Sequence, residues 1–281
     1  MKTVIALSLI LVVAAQAVDW RQKPSYRNAP RASHANSKNI IRGHVAPPGR
    51  FLFQVEIYTD GGTYSRCGGS LIKEDKVLTA AHCCDGARSF DVLLGANNPD
   101  IFEPRRETVT ATRFTKHEKY RSSILDYDVC IIHLDGVVSG EGIATIRLPS
   151  RSQAKKLEIF KGSTATVSGW GSTSNASNTR STKLMYADVT IMDSKKCKKT
   201  YKKNVINERK ICTYNADGSG FCRGDSGGPL TITESDGVKT QVGIVSFFSE
   251  SGCGTNVPDV YTRITAYLNW IKAEAEVTIR P

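Results

Sequence analysis

Gly224-Asp225-Ser226-Gly227-Gly228-Pro229 surrounds one serine with three glycines, so the backbone there can turn tightly, take up positive φ and pass close to other groups. Alone, such a stretch reads as a turn. Two segments upstream change its weight. Leu78-Thr79-Ala80-Ala81-His82-Cys83 places a histidine after small residues that let the backbone pack closely. Asp128-Val129-Cys130-Ile131-Ile132-His133-Leu134 sets an aspartate at the head of an apolar strand.

Outward from these segments, the chain from Ile40 reads as short strands between turns rich in Gly, Ser, Asn and Asp. The pattern predicts strands over Phe51–Tyr58, Val77–Ala80, Phe90–Leu94, Val129–Leu134, Thr164–Ser168, Leu184–Met192 and Val242–Phe248. Asp60-Gly61-Gly62 and Asp236-Gly237 have the composition of hairpin turns. Tyr267, Leu268 and Ile271 fall at helical spacing, which predicts a helix over Thr265–Glu276. Many strands and one closing helix imply an all-β fold, either a large sandwich or paired barrels.

Taken together and in order, the His, Asp and Ser segments resemble the catalytic segments of the trypsin/chymotrypsin-like serine peptidases. The resemblance extends to Ile40-Ile41-Arg42-Gly43, Ala46-x-x-Gly49-x-Phe51, Cys67-Gly68-Gly69-Ser70-Leu71-Ile72, Ser168-Gly169-Trp170-Gly171 and Trp270-Ile271. It covers the chain from Ile40 nearly to its end. Leu94-Gly95-Ala96-Asn97, Gly243-Ile244-Val245-Ser246-Phe247 and the spacing into Cys253 resemble most the arthropod brachyurin-like branch of that family. The resemblance implies two six-stranded antiparallel β-barrels with the active site between them.

The implied chemistry requires residues of these types. A serine hydroxyl is a poor nucleophile near neutral pH unless a base takes its proton during attack. His82 is expected to be that base and then the acid that protonates the leaving amine, with Asp128 orienting the ring. Ser226 is the expected nucleophile, and the backbone N–H groups of Gly224 and Ser226 the expected oxyanion hole. Asp126 competes with Asp128, but only Asp128 directly heads the strand, as the family's aspartate does. His34, His44, His117 and His133 are expected to be structural. By resemblance, a cut before Ile40 frees an amine that pairs with Asp225. Asn39 departs from the Arg or Lys the family usually presents before that bond. Position 220, the pocket base in the family, is Gly here, against the Asp of trypsins, and Asp259 falls where the brachyurin-like collagenases carry a displaced pocket acid. Phe221, Ser246 and Phe248 complete the expected substrate-binding set, and Asp259 leaves some acceptance of Lys or Arg open. Phe248 turns either inward or out onto the surface; turned inward it gives a shallow apolar pocket, and the expectation is a chymotrypsin- or elastase-like endopeptidase of broad apolar preference.

Eight cysteines in a chain of this kind point to disulfides, since none form Cys-x-x-Cys and zinc-type spacing is absent. Spacing alone leaves on the order of a hundred pairings. The family implies Cys67–Cys83, Cys197–Cys212 and Cys222–Cys253. Cys84 and Cys130 remain; they flank His82 and Asp128, so folding that joins the catalytic pair brings them near each other, as a fourth disulfide or as two buried thiols. Ala96 stands where trypsin-like calcium loops begin with Glu, so neither a metal nor another cofactor is expected. Asn175-Ala176-Ser177 is an N-glycosylation acceptor, and the lysines over 195–203 read as a solvated face or a polyanion contact.

Composition sets the outer limits. The 281 residues carry 38 Lys/Arg and 27 Asp/Glu, a net +11, with 40% hydrophobic and 23% charged, which excludes a disordered, collagenous or multispanning membrane chain. Met1-Lys2, the apolar run Val4–Ala15 and Ala15-Gln16-Ala17 form a signal-peptide pattern over 1–17, too short to span a bilayer. Residues 18–39 are basic and proline-containing with hardly any aliphatics, the composition of a pro-segment. Up to Asn39 there are six Lys/Arg and one Asp, leaving 32 against 26, or +6, over the peptidase domain 40–281. That surplus points to no nucleic-acid partner. The chain is expected to be secreted, monomeric and free of the membrane, acting on proteins or peptides and meeting protein protease inhibitors. The alternative is a weak or inactive homologue that binds or regulates; the presence of all three triad residues argues against it.

Overall fold

The computed structural model describes residues 40–281 apart from 64, 177, 178, 202 and 203. The signal peptide and pro-segment expected over 1–39 lie outside the described residues, as does His34.

The first half of the chain forms β1 (His44–Val45), β2 (Gln54–Gly61), β3 (Arg66–Lys73), β4 (Lys76–Thr79), a single helical turn α1 (Ala81–Cys84), β5 (Ala87–Leu94), β6 (Glu107–Ala111), β7 (Arg113–Lys116) and β8 (Cys130–His133). The second half forms α2 (Arg151–Ala154), β9 (Thr164–Gly169), β10 (Met185–Ile191), α3 (Ser194–Thr200), β11 (Lys210–Tyr214), β12 (Pro229–Thr233), β13 (Lys239–Phe247), β14 (Asp259–Arg263) and α4 (Leu268–Ala275).

Two antiparallel sheets result. The first runs β6-β5-β2-β3-β4-β8-β7. Its end strands β6 and β7 are consecutive pieces of one segment, broken only at Thr112, so this segment carries the sheet round as a half-barrel. The second runs β10-β11-β14-β13-β12-β9 and closes where β9 pairs with β10, with β1 added on β10. Each sheet encloses its own core. Val55, Ile57, Leu71, Val77, Phe90, Val92 and Ile131 fill the first, and Val167, Met185, Val189, Leu230, Val245 and Tyr261 the second. Gly69 is required by the first core, because a Cβ there would lie 2.9 Å from methyls of both Ile57 and Val77. Buried side-chain hydrogen bonds join the sheets: Ser70 Oγ donates to Gln241 Oε1 at 2.6 Å, and Ser168 Oγ to Gln54 Oε1 at 2.7 Å. Buried polar groups need such partners, so these pairs fix how one sheet meets the other.

The structure shifts several expected boundaries. Phe51 and Phe53 are buried but lie in a turn before β2, and Phe51 O takes the Gln54 N–H. The expected helix over Thr265–Glu276 divides: Ile264–Ala266 is a 3-10 turn, and α4 begins at Leu268 and ends before Glu276 at φ 54°. Leu268, Ile271 and Ala275 are its buried face. Strands β1, β3, β6, β7, β11, β12 and β14 are additional to those expected from the sequence.

Candidate active site

His82 sits in α1, reached through Ala80 and Ala81, both fully buried. Asp128 lies just before β8, fully buried, and its carboxylate gathers three donors. The His82 backbone N–H donates to Oδ1 at 2.9 Å, His82 Nδ1 to Oδ2 at 2.9 Å, and Ser246 Oγ to Oδ2 at 2.7 Å. Thr262 Oγ1 on β14 donates to the Asp128 carbonyl at 2.9 Å, so both halves of the molecule hold this residue. Burial pushes the Asp128 carboxyl up, but the field and hydrogen bond of His82, the charge of Lys210 and the Ser246 hydroxyl together hold it below its ordinary value. With Nδ1–H donated to Asp128, Nε2 is the ring nitrogen left to take the serine proton in the expected mechanism.

Ser226 is placed by its backbone. Gly68 N of β3 donates to the Ser226 carbonyl at 2.7 Å, and Cys83 Sγ, next to His82, lies 3.7 Å from the same oxygen. Gly227, at φ 79°, has no room for a side chain: a Cβ would overlap Thr79 Oγ1 on the strand leading to His82. Glycine there lets the serine loop press onto the histidine strand. Among the described residues, no group accepts the N–H of Gly224 (φ 93°) or of Ser226. Ser226, Gly224 and Ser246 share a cleft of about 530 Å³ with Leu125, Arg66, Arg223, Phe247 and Phe248.

Asp225 is fully buried, accepting the N–H of Gly171 at 2.8 Å and of Cys222 at 3.0 Å. Among the described residues no Lys or Arg pairs with it, and burial pushes its carboxyl up to about 6 despite these amides and the field of Arg66. Ile40 is fully buried in the second core, and Ile41 bridges to Gly220.

The expected specificity residues separate into two groups. Ser246 and Phe248 line the Ser226 cleft; Gly220 and Asp259 do not. The Asp259 carboxylate occupies the space a side chain at 220 would need, and burial pushes it up to about 8, with the nearby Asp225 adding to the rise and the Phe221 N–H opposing it. Phe221 is buried between Tyr261 (5.1 Å between ring centroids) and Phe248 (5.9 Å). Phe248 thus turns inward, with the Arg223 guanidinium 5.6 Å from its ring.

Four disulfides tie this region: Cys67–Cys83, Cys84–Cys130, Cys197–Cys212 and Cys222–Cys253. Asp126, the competitor of Asp128, has a different task. It is fully buried, paired with both arms of Arg209 at 2.9 and 2.8 Å and with Arg121 at 2.5 Å, and these cations hold its carboxyl far below the usual range. His117 stacks on Trp270 at 5.1 Å, and His133 Nε2 lies 3.0 Å from Thr115 Oγ1. In the loop after Gly95, Glu103 accepts the amides of Asn97 and Asn98, and Arg106 donates to the carbonyls of Pro99 and Ile101. Asn175 Nδ2, the atom a glycan would modify, donates to the Ser251 carbonyl at 3.2 Å. Lys195, Lys196, Lys198 and Lys199 lie on α3, which Asp193 caps by accepting two backbone amides.

Sequence reasoning missed two partners of the candidate His82–Asp128 pair. Ser246 was expected only to meet substrate, yet its hydroxyl also supports Asp128. Lys210 gave no signal, since it follows Asn207-Glu208-Arg209 and reads as part of a solvated loop.

The pattern that defines the Trypsin family matches residues 40–271. Brachyurin of Leptuca pugilator is 37% identical over 240 residues, spanning 85% of this chain and 100% of the relative. Chymotrypsin of Phaedon cochleariae is 39% identical over 243 residues, spanning 85% and 83% respectively. A solved structure of HL collagenase superposes with a TM-score of 0.76 at 34% identity, covering 85% of this chain and all of that one.

Proposed function

The chain belongs to the trypsin family and is a serine endopeptidase, and we propose that it is made as a secreted zymogen whose active form cleaves proteins beside small or medium apolar side chains. The observation that carries the catalytic reading is the convergence of His82 N–H and Nδ1–H on the Asp128 carboxylate, with Ser226 held on the adjacent wall by Gly68. Ser226 Oγ attacks the scissile carbonyl as its proton passes to His82. The N–H groups of Gly224 and Ser226 meet the oxyanion, a contribution of about 3 kcal/mol for one donor. Collapse expels the amine, protonated by His82, and water then releases the acyl group by the same steps.

Activation follows from Asp225 and Ile40. A cut before Ile40 frees an ammonium able to pair with Asp225, a buried carboxylate that lacks a cation among the described residues. Losing one partner of such a buried pair typically costs ~3–5 kcal/mol, so once formed the pair holds the loop carrying Gly224 and Ser226. With Asn39 before that bond, the activator is either an Asn-cleaving enzyme or a cut after Lys38 followed by trimming. Residues 1–17 direct secretion and 18–39 are the pro-segment; four disulfides suit an oxidising compartment. The enzyme works as a monomer, and protein protease inhibitors compete for its cleft.

The pocket preference rests on Phe248 and Asp259. The Phe248 ring packs inward on Phe221 and limits depth, and Asp259, neutral at pH 7, offers a substrate cation little. A fluorophosphonate probe tests the reading on two forms of the protein, one beginning at Ile40 and one at Asn39. The first should label at Ser226 and hydrolyse peptides, and the second should fold but label weakly. Failure of both folded forms to label would establish the inactive homologue; full activity of the Asn39 form would refute the activation step.

A further inference from the structure

Lys210 is an ionisable side chain buried beneath the catalytic pair. It opens β11, and the residue is 1% exposed. Its Nζ donates to the Leu125 backbone carbonyl and to Ser246 Oγ at 3.2 Å, and lies 5.4 Å from the centre of the Phe247 ring. Ser246 donates in turn to Asp128 Oδ2, the oxygen that accepts His82 Nδ1. A hydroxyl has one proton to give. With a Lys210 N–H directed at its lone pair, Ser246 has that proton aimed at Asp128. The charged groups facing the ammonium are Asp128, Asp126 and Arg209, and the Arg263 guanidinium holds the Lys210 backbone carbonyl from the other side at 3.0 Å.

A buried ammonium is costly, and methionine would fill similar space without that cost. The geometry shows what the charge supplies. We propose that Lys210 is a positioning residue for the hydrolysis: it fixes Ser246 as a donor to Asp128 and contributes the positive charge that keeps Asp128 ionised, without touching substrate. The inference rests on the serine endopeptidase reading above.

Lys210→Met removes charge and donors at similar volume. Rates are taken per active site titrated with the fluorophosphonate, across pH 6 to 10. The variant should lose about tenfold in kcat below pH 7.5 with KM nearly unchanged, the scale of one charge-assisted hydrogen bond. Burial pushes the Lys210 ammonium down to about 8, against the opposing fields of Asp128 and Asp126. The parent therefore loses the charge as pH rises, and the parent-to-variant ratio should shrink towards pH 10. A packing role would lower the number of titrated sites and leave no pH-dependent ratio. Lys210→Gln, which keeps a donor but no charge, should show the same trend and serves if the Met variant does not fold. Per-site kcat within twofold of the parent throughout, or a loss constant with pH, overturns the inference. Failure of the parent itself to label would instead overturn the endopeptidase reading.

Discussion

Removing the Cys84–Cys130 bridge should cost about 4 kcal/mol of stability while sparing the chemistry. The bridge joins the last residue of α1 to the first of β8, so it lies two residues beyond His82 on one side and two beyond Asp128 on the other. Both cysteines are buried, and the bond spans a sequence separation of 46. Loop-closure entropy for a span of that size is ~13 cal/mol/K, or about 4 kcal/mol at 25 °C. An unfolding entropy of ~2 cal/mol/K per residue over residues 40–281 gives ~0.5 kcal/mol/K, so Tm should fall by about 8 °C. The Cys84→Ala/Cys130→Ala pair is best measured by calorimetry in a Ser226→Ala background, which prevents self-digestion. Activity is then compared at 25 °C in the same pair with Ser226 restored. His82 still meets Asp128 through two hydrogen bonds of 2.9 Å, so kcat per titrated site should stay within about threefold. A Tm drop under 3 °C would refute the entropic argument. A hundredfold loss of per-site kcat would show that the bridge, and not those hydrogen bonds, orients the pair.

Ser226→Ala and His82→Ala should each lower kcat by on the order of 10⁶, and the double variant should be little worse, because the groups act as one unit; roughly multiplicative losses in steady-state assays would break the assignment. Phe248→Gly should widen the preference towards Phe and Tyr at the cleaved position, and an unchanged ranking in a fluorogenic peptide library would show that the ring does not bound the pocket. Asp259→Asn should stabilise the Ser226→Ala protein at pH 8 and leave it unchanged near pH 4. The Asp259 carboxyl is raised to about 8, so the folded state holds a proton that the unfolded chain releases above about 4, and stability falls across that window by on the order of 5 kcal/mol. Equal Tm differences at the two pH values would contradict the raised value.

The sequence made the candidate catalytic residues legible because each stands at a place where backbone and chemistry agree. Small residues precede His82, an apolar strand follows Asp128, and glycines surround Ser226. Strands with a clear apolar run, such as β8, or a clear alternation, such as β10, were visible for the same reason. β3 was not, because Gly68 and Gly69 carry no side chain to alternate. Gly69 is there to make room for Ile57 and Val77, and a Cβ at Gly68 would lie 3.1 Å from the Gly228 backbone, so tertiary packing chose residues that local propensity would reject. β11 was hidden by Lys210, whose burial depends on Ser246 and Leu125, distant in sequence. The inward turn of Phe248 could be stated as an expectation, but its partner Phe221 lies 27 positions earlier, and only folding brings them together.

Three buried aspartates show why residue identity alone could not settle the pocket. Asp128 has its partners in hand: burial raises its carboxyl, but His82, Lys210 and Ser246 outweigh that, and it stays ionised. Asp225 has amides from Gly171 and Cys222 but no cation among the described residues, and sits at about 6. One added positive charge at that balance would decide its state, which is what the proposed activation step asks of it. Asp259 has the Phe221 N–H, with Asp225 as an opposing neighbour, and sits at about 8. That carboxyl also stands apart from the residues that line the Ser226 cleft. The same side chain therefore serves as a fixed charge, a charge awaiting its partner and a neutral filler, and the number of cations each can reach decides which.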